Sequence, residues 1–269
     1  MTDYLMIHPP GHGAWSWDGV KGIIEDSYRS TDHLNHSMYI PGSVLTPDYG
    51  VSSGKEASGY GSSSPRVTRE AFSKFDLNDW VDMILDDTRK AGISRPVIVG
   101  HSLAGLATLE VARRLPDPPK ALVLIGAVIP DLFHNVLEML PFPTRILFAI
   151  NRLLPGSPEG SLRLHREITL KLLCGDLDYL QASHILGRIR PVALRPLHGL
   201  PHPDFLNLRC PITYVVLKRD KFVPPTLQLK MADSIDNARI IELDCGHEAP
   251  VANPTQVAEA VLHAVPSGD

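Results

Sequence analysis

Ser102 stands directly after the apolar run Val97-Ile98-Val99-Gly100-His101 and directly before Leu103-Ala104-Gly105. A serine among small residues, placed where a strand pattern gives way to a helical one, is the layout of a nucleophile elbow. Such an elbow needs a tight, strained turn that carries the hydroxyl out at the tip of a sheet. Gly100, Ala104 and Gly105 are small enough to let that turn close, although the strictest form of the pattern has glycine where Ala104 stands. A serine hydroxyl is unreactive at its own pKa. It needs an imidazole within hydrogen-bond reach, and the imidazole needs a carboxylate to fix its tautomer and stabilise its charged form. Two later segments supply these groups in the order nucleophile, acid, histidine. Asp220 follows the continuous apolar run Ile212-Thr213-Tyr214-Val215-Val216-Leu217, and His247 lies in the loop Asp244-Cys245-Gly246-His247 after a further strand pattern at 238–243. Asp244 directly follows that strand and is a weaker choice than Asp220 for the acid, and Asp48 is weaker still. The chemistry these types imply is acyl transfer through Ser102, with His247 as base and Asp220 as its partner.

The elements around these residues must bring three distant segments to one edge. Strand patterns at the N-terminus, at 97–101, 121–126, 212–217 and 238–243 alternate with helical ones at 17–28, 76–91 and 103–115. This alternation predicts an α/β fold, a mostly parallel, doubly wound sheet with helices on both faces. The helix at 76–91 shows Leu77, Trp80, Val81, Ile84 and Leu85 on one face, a core stripe. The helix after Ser102 offers free N–H groups and positive potential to the serine. Between 126 and 212 the alternation stops, and helical runs broken repeatedly by proline from Pro141 to Pro203 take its place. We therefore expect a core formed by 1–129 and 205–269, with 130–204 as an inserted helical cap. The apolar part of that insertion approaches the length of a membrane span, but prolines, Arg145, Asn151 and Arg152 interrupt it. Residues 50–66, crowded with Gly and Ser, leave a strand pattern near Val44 and read either as a gate beside the site or as surface disorder.

Taken together, Gly100-His101-Ser102-Leu103-Ala104-Gly105, Arg219-Asp220 and Gly246-His247-Glu248-Ala249-Pro250 resemble the α/β-hydrolase superfamily over nearly the whole chain. Leu5-Met6-Ile7-His8, running into Gly11-His12-Gly13-Ala14-Trp15-Ser16-Trp17, is similar to the small esterases and hydroxynitrile lyases whose chain starts at the third strand of the usual fold. The resemblance implies Ser102, Asp220 and His247 as the catalytic residues, Leu103 N–H as one oxyanion donor, and His12 near the site as a substrate-binding residue. One position departs from the pattern. The family takes a second oxyanion donor from the residue two after the strand-end histidine, and here that residue is Pro10, which has no N–H. Losing such a donor typically costs about 100-fold or more in rate. Either the turn is rebuilt so that Gly11 donates, or the reaction leans less on an oxyanion.

Composition narrows the partners. The 269 residues carry a formal net charge of −4, which gives no electrostatic case for nucleic acid or an anionic membrane. Three scattered cysteines, Cys174, Cys210 and Cys245, point to reduced thiols and a cytoplasmic setting, and the N-terminus shows no basic region of a signal peptide. The pairs His33 with His36 and His198 with His202 lack the carboxylate or cysteine set of a metal site, so neither metal nor cofactor is expected. The cap residues Phe133, Leu137 and Phe142 are expected to line an apolar substrate pocket, with Phe148 among further candidates. The expected function is hydrolysis of a neutral, fairly hydrophobic ester, lactone or thioester through an acyl-enzyme. The alternatives are lyase or cyclase chemistry by acid and base on the same scaffold, and a small-molecule receptor with vestigial activity.

Overall fold

The computed structural model describes residues 2–30, 44–45, 74–151, 161–162, 166–190 and 192–265. The sequence's strand patterns become one six-stranded sheet of parallel strands in the order β2-β1-β3-β4-β7-β8. The strands are β1 (Tyr4–Ile7), β2 (Val44–Leu45), β3 (Val97–His101), β4 (Ala121–Ile125), β7 (Ile212–Leu217) and β8 (Arg239–Leu243). In β1, β3, β4 and β7 every residue is buried, which is why these strands read as unbroken apolar runs: helices cover both faces. β8 is an edge strand and exposes Arg239, Ile240 and Glu242, where charge discourages further pairing.

Successive side chains divide between two cores, as the period of a strand requires. Leu5, Ile7, Ile98, Leu122, Leu124, Tyr214 and Val216 pack on one face with α2 (Leu77–Lys90) and α3 (Gly105–Arg114). Tyr4, Met6, Val97, Val99, Val123, Ile125, Val215 and Leu217 pack on the other, against α1 (Asp18–Ser30) and the C-terminal helix α10 (Pro254–Leu262). The stripe read in the sequence is the buried face of α2, and the Asp76 and Asp79 side chains form a reciprocal capping box at its start.

The chain between β4 and β7 holds α4 (Val136–Met139), α5 (Phe142–Asn151), α6 (Arg166–Leu172) and α7 (Tyr179–Arg188). It also holds a two-stranded antiparallel ribbon of β5 (Ser161–Leu162) and β6 (Val192–Ala193), which the sequence did not announce because two-residue strands show no alternation. Pro143 sits in the first turn of α5, where a missing N–H costs nothing, so this proline opens a helix instead of breaking one. Among the described residues no helix is long and apolar enough to cross a membrane. Val44 and Leu45 pair with Tyr4 and Leu5, while the Gly/Ser stretch 50–66, His33, His36 and Asp48 lie outside the described residues. After β7 the chain continues through α8 (Pro225–Asp233), and after β8 through α9 (Ala249–Ala252).

Candidate active site

Parallel pairing brings the carboxyl ends of β3, β7 and β8 to one edge, and the site is built there. Ser102 follows β3 and adopts φ +56°, left-handed backbone that costs a non-glycine residue on the order of 1 kcal/mol. The turn closes because its neighbours have no room for side chains. A Cβ on Gly100 would overlap the Thr108 side chain, and one on Gly105 would overlap the Val128 carbonyl. Val128 N–H in turn donates to the Ser102 carbonyl at 2.9 Å. Ala104 has right-handed backbone, φ −81° and ψ −2°, so the position that departs from the strictest motif has no need of glycine.

His247 Nε2 lies 2.8 Å from Ser102 Oγ, and His247 Nδ1 lies 2.8 Å from Asp220 Oδ2. All three residues are buried. With Nδ1–H donating to the carboxylate, Nε2 is left bare to accept the serine proton. Asp220 is held from both sides. Its Oδ1 accepts from Phe222 N–H at 2.8 Å and Val223 N–H at 2.9 Å, while Oδ2 also accepts from Gln228 Nε2 at 3.1 Å. Gln228 is fully buried on α8, where its Oε1 accepts from Leu217 N–H at 2.9 Å and its amide donates to the Val223 carbonyl at 2.6 Å. Nothing in the sequence singled out this residue. Gly126 clears the space beside the carboxylate, since a Cβ there would lie 2.9 Å from Leu217 Cδ1 and 3.4 Å from Asp220 Oδ2.

Burial, the largest influence on His247, disfavours its charged form. The negative charge and hydrogen bond of Asp220, with Glu248 and Asp176 behind it, outweigh burial and raise the imidazole above its ordinary value of 6.5. His101 behaves oppositely: burial first, then the charge of His247, pushes it down to about 3. It is a neutral donor, and its Nε2–H bonds the His247 carbonyl at 2.9 Å. The ring of Phe222 stands edge-on to His247 with centroids 4.9 Å apart.

Across from this relay the chain turns at Pro9-Pro10-Gly11-His12. His12 N–H donates to the Pro9 carbonyl at 3.1 Å, with Pro10 and then Gly11 at φ +87° between them. A proline followed by a left-handed glycine is what a type II turn requires. Pro9, Pro10 and His12 join Ser102, Leu103, Phe148, Leu173, Ile189, Arg190, Phe222 and His247 around a small cavity. Gly11 is not among the residues lining it. Its carbonyl accepts from Arg190 N–H at 2.9 Å, which ties the corner of this turn to the end of α7. Leu103 does line the cavity, at the start of a helical turn where N–H groups lack intrahelical partners.

The expected apolar wall is corrected. Phe133 is 85% exposed and Phe142 70% exposed, and Leu137 packs partly buried against the core outside the cavity. The Asp131 side chain accepts from Phe133 N–H at 2.9 Å, a local turn that leaves the ring facing outward. Phe142 and Phe148 are six helical residues apart, about 120° around the axis, so they sit on different sides of α5. Phe148 is the inward one and packs on Phe222 at 6.2 Å between centroids. Asp244 faces outward, its side chain 71% exposed and 3.5 Å from Arg219. His198 and His202 are exposed, and among the described residues no group of three or more His, Cys, Asp or Glu could hold a metal ion.

The sequence pattern of the alpha/beta hydrolase family matches residues 4–260. The chain belongs to the alpha/beta hydrolase family. Among its relatives, salicylic acid-binding protein 2 of Nicotiana tabacum is 24% identical over 274 residues, 96% of this chain and 95% of that one. The carbendazim hydrolyzing esterase of a Nocardioides species is 21% identical over 283 residues, 96% of this chain and 98% of that one. An extracellular alpha/beta-hydrolase from a Paenibacillus species superposes with a TM-score of 0.79 at 18% identity, covering 99% of this hydrolase and 100% of that chain. At such identity the superposition speaks for the fold alone. In this hydrolase Gln228 supports Asp220, His101 bonds the His247 carbonyl, and Glu248 and Asp176 add negative charge near His247.

Proposed function

We propose that the chain hydrolyses a neutral, fairly hydrophobic carboxylic ester, lactone or thioester, with Ser102 as nucleophile. The observation that carries this reading is the relay Ser102 Oγ to His247 Nε2 to Asp220 Oδ2, with both steps at 2.8 Å, opening on a mainly apolar cavity. His247 takes the Ser102 proton as Oγ attacks the carbonyl carbon, and Asp220 stabilises the resulting imidazolium. Collapse of the tetrahedral species breaks the bond to the leaving oxygen or sulfur, which takes the proton from His247. Water, deprotonated by the same imidazole, then releases the acid from Ser102. In this reading Leu103 N–H donates to the oxyanion.

Phe148, Leu173, Ile189 and Phe222 give the apolar walls. Arg190 is the cation among the lining residues, and its guanidinium donates to the Gly187 carbonyl at 3.1 Å and the Ile189 carbonyl at 3.4 Å at the end of α7. A charge already bonded to helix-end carbonyls is compatible with a neutral substrate. One relative is named an esterase and another a salicylic acid-binding protein, so turnover and binding are both worth measuring. Stopped-flow release of p-nitrophenol from short and medium-chain p-nitrophenyl esters tests the reading. A burst equivalent to the enzyme concentration, lost in Ser102→Ala, supports an acyl-enzyme, while thermal stabilisation by ligands without turnover would favour a receptor.

Pro10 supports a second reading. A residue without an N–H lines the same cavity as Leu103, which suits a proton-transfer reaction with less charge to stabilise. In that case His247, through Ser102, would deprotonate the hydroxyl of a cyanohydrin while the carbon–cyanide bond breaks and cyanide leaves with the proton. Cyanide release without ester turnover would favour it.

A further inference from the structure

The insertion between β4 and β7 reaches the catalytic loop through one carboxylate. Asp176, in the turn joining α6 to α7, accepts from Gly246 N–H at 2.6 Å through its Oδ2. Gly246 is the residue before His247, and a Cβ built on it would overlap the Asp176 carboxyl group. The glycine therefore makes a socket and the aspartate fills it. Arg219 ties the same point to the loop after β7. Its guanidinium lies 3.9 Å from Asp176 Oδ2, it donates to the Asp244 carbonyl at 2.7 Å, and its backbone N–H donates to the Cys245 carbonyl at 3.0 Å. Lys221 adds a second cation nearby, with Nζ 3.2 Å from where a Cβ of Gly175 would stand.

We propose that Asp176 is a positioning residue for His247, fixing the histidine loop through Gly246 and placing a second-rank negative charge behind the imidazole that Asp220 holds. The proposal rests on the serine-hydrolase reading for its catalytic meaning. A neutral acceptor could satisfy Gly246 N–H equally well. The carboxylate adds an attraction for the imidazolium, which acts together with those of Asp220 and Glu248; the cations Arg219 and Lys221 and the neighbouring imidazoles of His12 and His101 act against it when charged. Asp176 is among the groups that raise His247, consistent with this geometry.

Asp176→Asn keeps the acceptor and the volume but removes the charge; Asp176→Ala removes both. Nitrogen NMR of labelled histidines, with His247 assigned by its absence in His247→Asn, follows the imidazole directly and needs no substrate. We expect the His247 titration midpoint to move to lower pH in Asp176→Asn. In Asp176→Ala, loss of the loop anchor should lower kcat about 100-fold with KM nearly unchanged, as for a misplaced catalytic group, and Asp176→Asn should restore most of it. An unmoved midpoint in Asp176→Asn, or a loss confined to KM, would overturn the proposal. If Asp176→Ala melts early, the isosteric variant decides alone. Fluorophosphonate labelling of the wild type at Ser102 separates the two claims: no labelling sinks the hydrolase reading, while the NMR midpoint still judges Asp176.

Discussion

Glu248 holds His12 Nε2 with both carboxylate oxygens, at 3.1 and 3.2 Å, across the whole length of the chain. Both side chains are buried, and His12 lies stacked on Trp15 with centroids 5.4 Å apart. The contact fastens the loop after β1, which forms one wall of the cavity, to the loop that carries His247. Burial alone would raise the Glu248 carboxyl. The charge and hydrogen bond of His12, followed by the charge of His247, outweigh burial and bring it from 4.5 to about 2. A depressed carboxylate stabilises the fold fully above its unfolded value and loses that contribution as pH falls through its folded one. Glu248→Gln should therefore cost about 3 kcal/mol at pH 7, and the difference from wild type should shrink below half at pH 3. Urea unfolding at the two pH values measures it.

Gln228 completes the support of Asp220 from α8, and its amide also satisfies Leu217 N–H and the Val223 carbonyl. Gln228→Leu keeps the bulk but orphans those groups. Each buried unpaired group costs about 1–3 kcal/mol, so denaturant unfolding should show a loss of at least about 2 kcal/mol. Activity should fall as well, because one of the bonds aiming Asp220 is gone.

The Pro10 turn offers a test by gain. Alanine accepts the backbone of the second position of a type II turn and restores an N–H on the cavity wall. Pro10→Ala should raise kcat for p-nitrophenyl esters by about tenfold or more, given what one oxyanion donor is worth. Gly11→Ala should not gain: φ +87° strains any side chain there, and a stability loss of about 1 kcal/mol or more is expected in thermal unfolding.

The raised imidazole of His247 sets the pH profile. A general base works only when unprotonated, so the acid limb of kcat/KM should have its midpoint above 6.5. Asp220→Asn removes the main charge that raises it and turns the histidine to the wrong tautomer, so kcat should fall about 10,000-fold. A wild-type midpoint below 6.5 would contradict the electrostatics described here.

The strands and the Ser102 turn were legible because they rest on local patterns. A strand buried on both faces must be apolar throughout, and an elbow must have small neighbours. Ala104 looked like a departure only because the motif is written as letters; its backbone angles do not call for glycine. The walls of the cavity were not legible. Phe142 and Phe148 carry the same side chain on one helix, and only the phase of α5 against the core decides which turns inward. Gln228, Asp176 and the Glu248–His12 pair were hidden for a different reason. Each acts through a partner distant in sequence or through ordinary backbone groups, and no spacing advertises such a contact.

The central claim is that Ser102 is the nucleophile that His247 and Asp220 activate. Intact-mass spectrometry after brief exposure to a fluorophosphonate tests it most directly, comparing wild type with Ser102→Ala. The account predicts a single stoichiometric adduct on the wild type, its rate rising with pH through the His247 titration, and no adduct on the variant. A folded wild-type protein that forms no adduct, or a variant that forms the same one, would contradict it.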